Sequence, residues 1–188
     1  IRLSVKAAAG SERKMLIRAG IALLYAHWEG FIKSSSTLYI EFVNKRGHAY
    51  QDLKTTFIAL GLSKRLGEVT DTKKHSLRIS AVNFILDNCA KRAELPAQSA
   101  INTRSNLNSE VFTDIAVICG IDSSKYEPFY NLIDKSLLKR RNAIAHGDHL
   151  DVDTDQFLTL CEEVQQLMRW YKTDIDNAAA TEAYKRLP

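Results

Sequence analysis

Apolar residues recur every three or four positions along most of the chain, which is the spacing of one face of an α-helix. The longest such pattern lies near the amino terminus and predicts one helix over about Ser11 to Val43, here called the long helix. Its apolar members are Ile17, Ile21, Leu24, Trp28, Phe31, Ile32, Leu38, Tyr39 and Phe42. Ser11 is placed to cap the start of the long helix, and Gly47 is placed to end it.

The middle of the chain predicts three shorter helices separated by polar stretches. The first two span Gln51 to Ala59 and Thr72 to Cys89, and the third follows a cap at Asn108 or Ser109. Residues 94–107 are mostly polar and are predicted as the longest loop.

Two further helices complete the pattern, the motif helix over about residues 124–147 and the closing helix over about residues 154–175. Asp153 is placed to cap the closing helix. Only three prolines and eight glycines occur in 188 residues, fewer than the frequent turns of an all-β protein require. The sequence therefore predicts an all-α fold, a bundle of about six helices that forms one domain over residues 1–188.

Charge and cysteine content narrow the class of protein only slightly. The net charge of +4 permits a nucleic-acid partner without requiring one. The three cysteines lie far apart and include no Cys-x-x-Cys pair, which is typical of reduced thiols in a cytoplasmic protein. The most apolar stretch, residues 19–31, is interrupted by His27 and Glu29 and is too short to cross a membrane.

The candidate chemistry lies at the end of the motif helix, where residues 141–147 read Arg-Asn-Ala-Ile-Ala-His-Gly. At about 100° per residue, Arg141 and His146 point about 140° apart around the helix axis, so they do not stack. Asn142 and His146 are four positions apart and share a face. A site that needs both cations around one phosphate is therefore hard to build from one helix. Two copies related by a two-fold axis can build it, because each Arg can meet the partner's His.

The string Arg-Asn-x-x-Ala-His-Gly at a helix end resembles the signature of the HEPN superfamily, whose Arg-x(4 to 6)-His motif marks metal-independent endoribonucleases. Two other segments are similar to prokaryotic HEPN nucleases of the MAE and RiboL-PSP type: Leu-Tyr-Ala-His-Trp-Glu-Gly-Phe at 24–31, and Arg-Ser-Asn-Leu-Asn at 104–108. The resemblance covers most of the chain, and it maps motif positions onto Arg141, Asn142 and His146.

The resemblance implies that the 2′-hydroxyl of RNA is the nucleophile, which leaves a 2′,3′-cyclic phosphate and a 5′-hydroxyl. His146 would transfer protons, because imidazole titrates near neutrality. Arg141 would hold the phosphate and stabilise the developing charge, with Asn142 in a supporting role. The resemblance implies no metal and no other cofactor.

The implied partners are RNA, a second copy of the chain in a homodimer, and an antitoxin or regulatory protein. The implied setting is a toxin–antitoxin or anti-phage defence system. The alternative is a non-catalytic helical module used for dimerisation or nucleotide binding, since an Arg and a His at a helix end commonly only complement the helix dipole.

Roles for residues outside the Arg-x4-His motif are predicted from their positions in the predicted helices and loops. Arg104, Asn106 and Asn108 lie in the long loop, where binding residues concentrate, and are expected to contact substrate. Arg140 projects nearer than Arg141 to the apolar stripe of the motif helix, so Arg140 is expected to be structural. Glu29 of the long helix is a candidate ion-pair partner for either arginine, with Arg140 and Glu29 as the expected structural pair.

Overall fold

The computed structural model of the chain describes residues 1–63 and 75–186. Within these ranges the chain is helical, with two isolated β-bridges and no strand, which confirms the predicted all-α fold. None of the helices in this part of the chain combines the length and the apolar composition that crossing a bilayer requires.

The helices differ in length from a single turn to more than ten turns. In chain order, the α-helices are Arg2–Ala7, Gly10–Arg46, Thr55–Gly61, His75–Asn88, Ala97–Ala100, Ser109–Ile118, Arg140–Ala145 and Thr154–Ala180. Short 3-10 helices span Tyr50–Asp52 and Ser124–Phe129, and a π-helix spans Leu132–Lys139.

Several predicted boundaries are shifted by local hydrogen bonds. The helix predicted to begin at Gln51 begins at Thr55. The Gln51 N–H donates to the Cys89 carbonyl at 2.8 Å, which holds a 3-10 turn at Gln51 instead. The predicted longest loop contains the single-turn helix Ala97–Ala100, and Arg2–Ala7 is a further short helix that the periodicity does not predict. The predicted helix start at Thr72 lies outside the described residues.

The caps predicted at Asn108, Asp153 and Gly47 are confirmed, whereas Ser11 lies inside the long helix, which begins at Gly10. Asn108 Oδ1 accepts the Val111 N–H at 2.8 Å at the start of Ser109–Ile118. Asp153 Oδ1 accepts the Gln156 N–H at 2.8 Å at the start of the closing helix. Gly47 ends the long helix with φ of +73°, a left-handed conformation that favours glycine.

The chain divides into two compact units. The first contains residues 1–34, 103–113 and 123–173. Its core is an aromatic cluster in which the Phe112 ring lies 5.5, 5.0 and 5.5 Å from the rings of Trp28, Tyr126 and Tyr171. Gly20 allows a close approach, because a Cβ at this position would lie only 2.5 Å from the Phe157 ring.

The second unit contains described residues of 35–102, 114–122 and 174–188. Its core includes Tyr39, whose ring lies 6.2 Å from that of Phe57 in an edge-on arrangement. Glu182 accepts a hydrogen bond from Arg46 at 3.0 Å and also pairs with Lys185, and these two cations hold the pKa of its carboxyl at about 2.

Candidate functional site

The end of the motif helix is fixed by a Schellman motif. The Asp148 N–H donates to the Ala143 carbonyl at 2.8 Å, and the Gly147 N–H donates to the Ile144 carbonyl at 3.2 Å. Gly147 has φ of +79°, so it is the residue that turns the chain out of the helix. His146 is therefore the last residue with helical backbone angles, and its side chain is exposed.

Arg141 faces the interior of the first unit. Its guanidinium carbon lies 4.1 Å from the centre of the Tyr25 ring, which is the geometry of a cation–π stack. Its Nη2 donates to the Ser105 carbonyl at 2.9 Å. Its Nε is buried and has no hydrogen-bond partner among the described residues. The long helix and the loop before Ser109–Ile118 therefore hold this arginine in one place.

Tyr25, which stacks on Arg141, also contacts the loop before Ser109–Ile118. Its hydroxyl accepts the Leu107 N–H at 2.7 Å, and the side chain is almost fully buried. Burial raises the pKa of Tyr25, while Arg141 and the Leu107 N–H oppose that rise. The hydroxyl therefore stays protonated through the neutral pH range, as an acceptor for Leu107 that adds no negative charge.

The loop beside Arg141 contains a strained turn. Arg104 and Ser105 have φ of +54° and +53°, and the Asn106 N–H donates to the Thr103 carbonyl at 3.0 Å. Left-handed angles cost residues other than glycine roughly 1–2 kcal/mol each. Such strain persists where surrounding contacts enforce it, and it is often found at functional sites. The turn exposes the side chains of Arg104 and Asn106 next to Arg141.

The assignment of the two arginines from periodicity does not match the contacts in the structure. The π-helix Leu132–Lys139 forms i→i+5 hydrogen bonds and buries both Leu137 and Leu138. One extra residue in a turn rotates the following side chains by about 100°. Both arginines are half-buried after this turn, and Arg141 contacts Tyr25 and the Ser105 carbonyl.

The proposed structural pair is not formed in this structure. No ion pair within the described part of the chain joins Arg140 to Glu29. Glu29 Oε1 is buried and has no hydrogen-bond partner among these residues. The Glu29 charge contributes to the raised pKa of Tyr25, four residues earlier in the long helix.

The other predicted site residues fall into two groups. Asn142 is half-buried and lies on the motif helix beside Arg141. Arg104 and Asn106 are exposed in the turn, whereas Asn108 is half-buried and its Oδ1 is already used as the cap described above. Arg104 and Asn106 are thus exposed to solvent, and the acceptor oxygen of Asn108 is engaged within the chain.

Three residues that hold the site were not predicted from sequence: Tyr25, Ser105 and Arg18. Arg18 Nη1 donates to the Asp148 carbonyl at 2.8 Å, so the long helix contacts the motif segment at both ends. Arg18 and Tyr25 are seven positions apart, which places them on one face of the long helix. That spacing, with Tyr25 and Ser105 inside the two segments similar to HEPN nucleases, is the signal that could have identified them.

Arg141 and His146 have side chains that suit an anionic ligand. A guanidinium offers charged N–H donors to a phosphate, and an exposed imidazole accepts or donates a proton near neutral pH. Among the residues that the structure describes, no three His, Cys, Asp or Glu side chains are grouped closely enough to hold a metal ion. Arg141 is thus of a residue type that binds phosphate, and His146 is of a type that transfers protons.

Fold and site together define an all-helical protein whose motif helix ends in Arg-x4-His. The family model described as RiboL-PSP-HEPN matches residues 2–177, so the chain belongs to this family of the HEPN superfamily. No curated protein and no solved structure shows significant similarity to the chain. HEPN domains are generally associated with ribonuclease activity, and a nuclease-type or RNA-related function follows for this chain.

Proposed function

We propose that this chain is a metal-independent endoribonuclease in which Arg141 and His146 are the catalytic residues and Asn142 supports them. The observation that carries the proposal is the geometry of the Arg-x4-His segment. A Schellman motif ends the helix at His146, whose side chain is exposed, and Arg141 is held beside an accessible turn. Membership of the HEPN family supports the choice of RNA as substrate.

The reaction uses the 2′-hydroxyl of the substrate as its nucleophile. The 2′-oxygen forms a bond to phosphorus, and the bond from phosphorus to the 5′-oxygen breaks. His146 takes the 2′-hydroxyl proton or gives a proton to the departing 5′-oxygen, while Arg141 stabilises the charge on the phosphate. The products are a 2′,3′-cyclic phosphate and a 5′-hydroxyl.

The active form that we propose is a homodimer related by a two-fold axis. Arg141 points inward and His146 lies exposed about 140° further around the helix, so a second copy supplies the missing group. Arg104 and Asn106 would contact the RNA strand from the turn. An antitoxin or regulatory protein would restrain this activity, in a toxin–antitoxin or anti-phage setting.

The test is cleavage of total RNA by the purified protein in EDTA. His146→Ala should lower the rate by about 10²- to 10⁴-fold, because proton transfer is lost. Arg141→Ala should lower it by about 10²- to 10³-fold, because one donor to the phosphate is lost. His27→Ala is the matched control, since His27 is also exposed but lies on the long helix. The RNA fragments should carry cyclic-phosphate ends.

Two results would contradict the proposal: cleavage by His146→Ala at the wild-type rate, or loss of wild-type cleavage in EDTA. A specific observation favours the alternative, a non-catalytic helical module, because Arg141 already contacts Tyr25 and the Ser105 carbonyl as a structural arginine does. Absence of cleavage by a wild-type protein that binds RNA or dimerises would make this alternative the better account.

A further inference from the structure

Tyr25 contacts both Arg141 and the backbone next to the strained turn. We infer that Tyr25 is a positioning residue, which orients the Arg141 guanidinium toward the RNA phosphate and fixes the Arg104–Asn106 turn beside it. This inference rests on the proposed function, since it assigns Arg141 to the phosphate.

The Tyr25 ring restricts the orientation of the Arg141 guanidinium. Stacking occupies the face of a guanidinium, and so leaves its edge N–H groups for an acceptor in the same plane. One edge donor, Nη2, already reaches the Ser105 carbonyl. A buried donor without a partner, such as Nε here, is unfavourable, so this orientation persists only because other contacts enforce it. Those contacts are the Tyr25 ring and the Ser105 carbonyl.

Contacts with Arg141 and Tyr25 also hold the turn. Two successive left-handed residues that are not glycine persist only where surrounding contacts enforce them. Two contacts hold the carboxyl-terminal side of the turn: Arg141 donates to the Ser105 carbonyl, and the Tyr25 hydroxyl accepts the Leu107 N–H. Because Tyr25 also stacks on Arg141, one side chain sets the position of both the phosphate-binding group and the exposed Arg104 and Asn106.

Two substitutions separate the contribution of the Tyr25 ring from that of its hydroxyl. Tyr25→Phe keeps the stack and loses the acceptor for Leu107, so RNA affinity should fall by about 5-fold, the value of one hydrogen bond, with kcat nearly kept. Tyr25→Leu loses the stack as well, and kcat/KM should fall by about 10²-fold, the effect of misplacing a catalytic group. Tyr39→Phe is the matched control, because Tyr39 is as buried and its hydroxyl has no partner in the described part of the chain.

If Tyr25 had a structural role alone, its effect on RNA affinity would not depend on Arg141. The decisive measurement is therefore a double-mutant cycle. The probe is a mixed-sequence 2′-O-methyl oligonucleotide, which binds but lacks the nucleophile, and its Kd is measured with Tyr25→Leu, Arg141→Ala and the double variant. If Tyr25 acts through Arg141, then Tyr25→Leu adds little to the loss in Arg141→Ala. The Arg141 Nε–H resonance in NMR should also shift in Tyr25→Leu and stay unchanged in Tyr39→Phe.

The outcomes separate this inference from the proposed function. Coupled losses of oligonucleotide affinity without any RNA cleavage would support the positioning role while contradicting the ribonuclease. Additive losses, an unchanged Arg141 resonance, or a wild-type protein that does not bind the oligonucleotide would overturn the positioning role, even if RNA is cleaved. Circular dichroism and melting temperatures of all variants show whether each one is folded.

Discussion

Arg140 and Arg141 are neighbours in the chain and differ in their surroundings. The Arg141 guanidinium stacks on Tyr25 and donates to Ser105, whereas Arg140 forms no ion pair with Glu29 in the described residues. A charged donor to a carbonyl and a stacked ring both stabilise the folded chain. The arginine proposed for catalysis is thus also the one that contributes to folding.

Arg141→Ala should lower the free energy of unfolding by about 1–3 kcal/mol, because a charge-assisted hydrogen bond and a cation–π contact are lost. Arg140→Ala should change it by less than about 0.5 kcal/mol, as is usual for substitutions away from such contacts. Urea unfolding of the two variants beside the wild type measures both values. A larger loss for Arg140→Ala would show that the inward position belongs to Arg140.

Asn108 is expected to act mainly as a helix cap. Asn108→Ala should lower the free energy of unfolding by about 1 kcal/mol, because the Val111 N–H loses its acceptor. Asn108→Ser is the control, since a serine hydroxyl also caps a helix start, and its unfolding free energy should stay close to that of the wild type. Equal losses in the two variants would contradict the capping role.

Helix ends were predictable from the sequence to a greater extent than the interior of the motif helix. Asn108, Asp153 and Gly147 act through atoms within a few residues of themselves, so their types and positions predict them. The π-helix depends on how Leu137 and Leu138 pack, which a repeat of 3.6 residues does not contain. The contacts of Arg141 with Tyr25 and Ser105, which follow this segment, were therefore not predicted.

Gly147→Ala should lower the free energy of unfolding by about 1–2 kcal/mol, the cost of a left-handed angle in a residue with a Cβ. No atom lies within 4 Å of the added Cβ, so backbone strain is the whole cause. Gly147→Asn should lose less, because asparagine tolerates this conformation. Thermal unfolding of the two variants provides the comparison, and an equal loss for alanine and asparagine would point to a cause other than the backbone angle.

At the scale of the whole molecule, residues distant in sequence determine the site. Tyr25, Ser105 and Arg141 come from three separate segments of the first unit, so periodicity along the chain does not predict their contact. The all-α class was predictable, since it depends only on repeated local patterns. The homodimer is a further level of structure, beyond the single chain. It is proposed because Arg141 and His146 point in different directions on one helix.

The shared site predicts that two inactive variants restore activity when they are mixed. In a dimer of Arg141→Ala with His146→Ala, one site keeps its Arg from one chain and its His from the other, while the second site loses both. A 1:1 mixture should therefore regain about a quarter of wild-type cleavage, since half of the dimers are mixed and each keeps one of two sites. The assay is RNA cleavage after co-refolding of the two variants.

A matched control mixes His146→Ala with a double variant that carries both substitutions, where no intact site can form. Activity in the first mixture alone supports a site shared between chains. If neither mixture cleaves RNA while each single variant still dimerises in sedimentation, Arg141 and His146 act within the same chain.

The π-helix Leu132–Lys139 also determines how this chain responds to changes in length. A residue inserted into an α-helix rotates all that follows by about 100°, and a π turn accommodates such an insertion without breaking the helix. Removing one residue from this segment should therefore return it to α-helical hydrogen bonding and turn the face that carries Ile133 relative to Arg141. When related chains are aligned, a one-residue gap here has more structural consequence than most substitutions, and motif spacing is best counted from Arg141 onward.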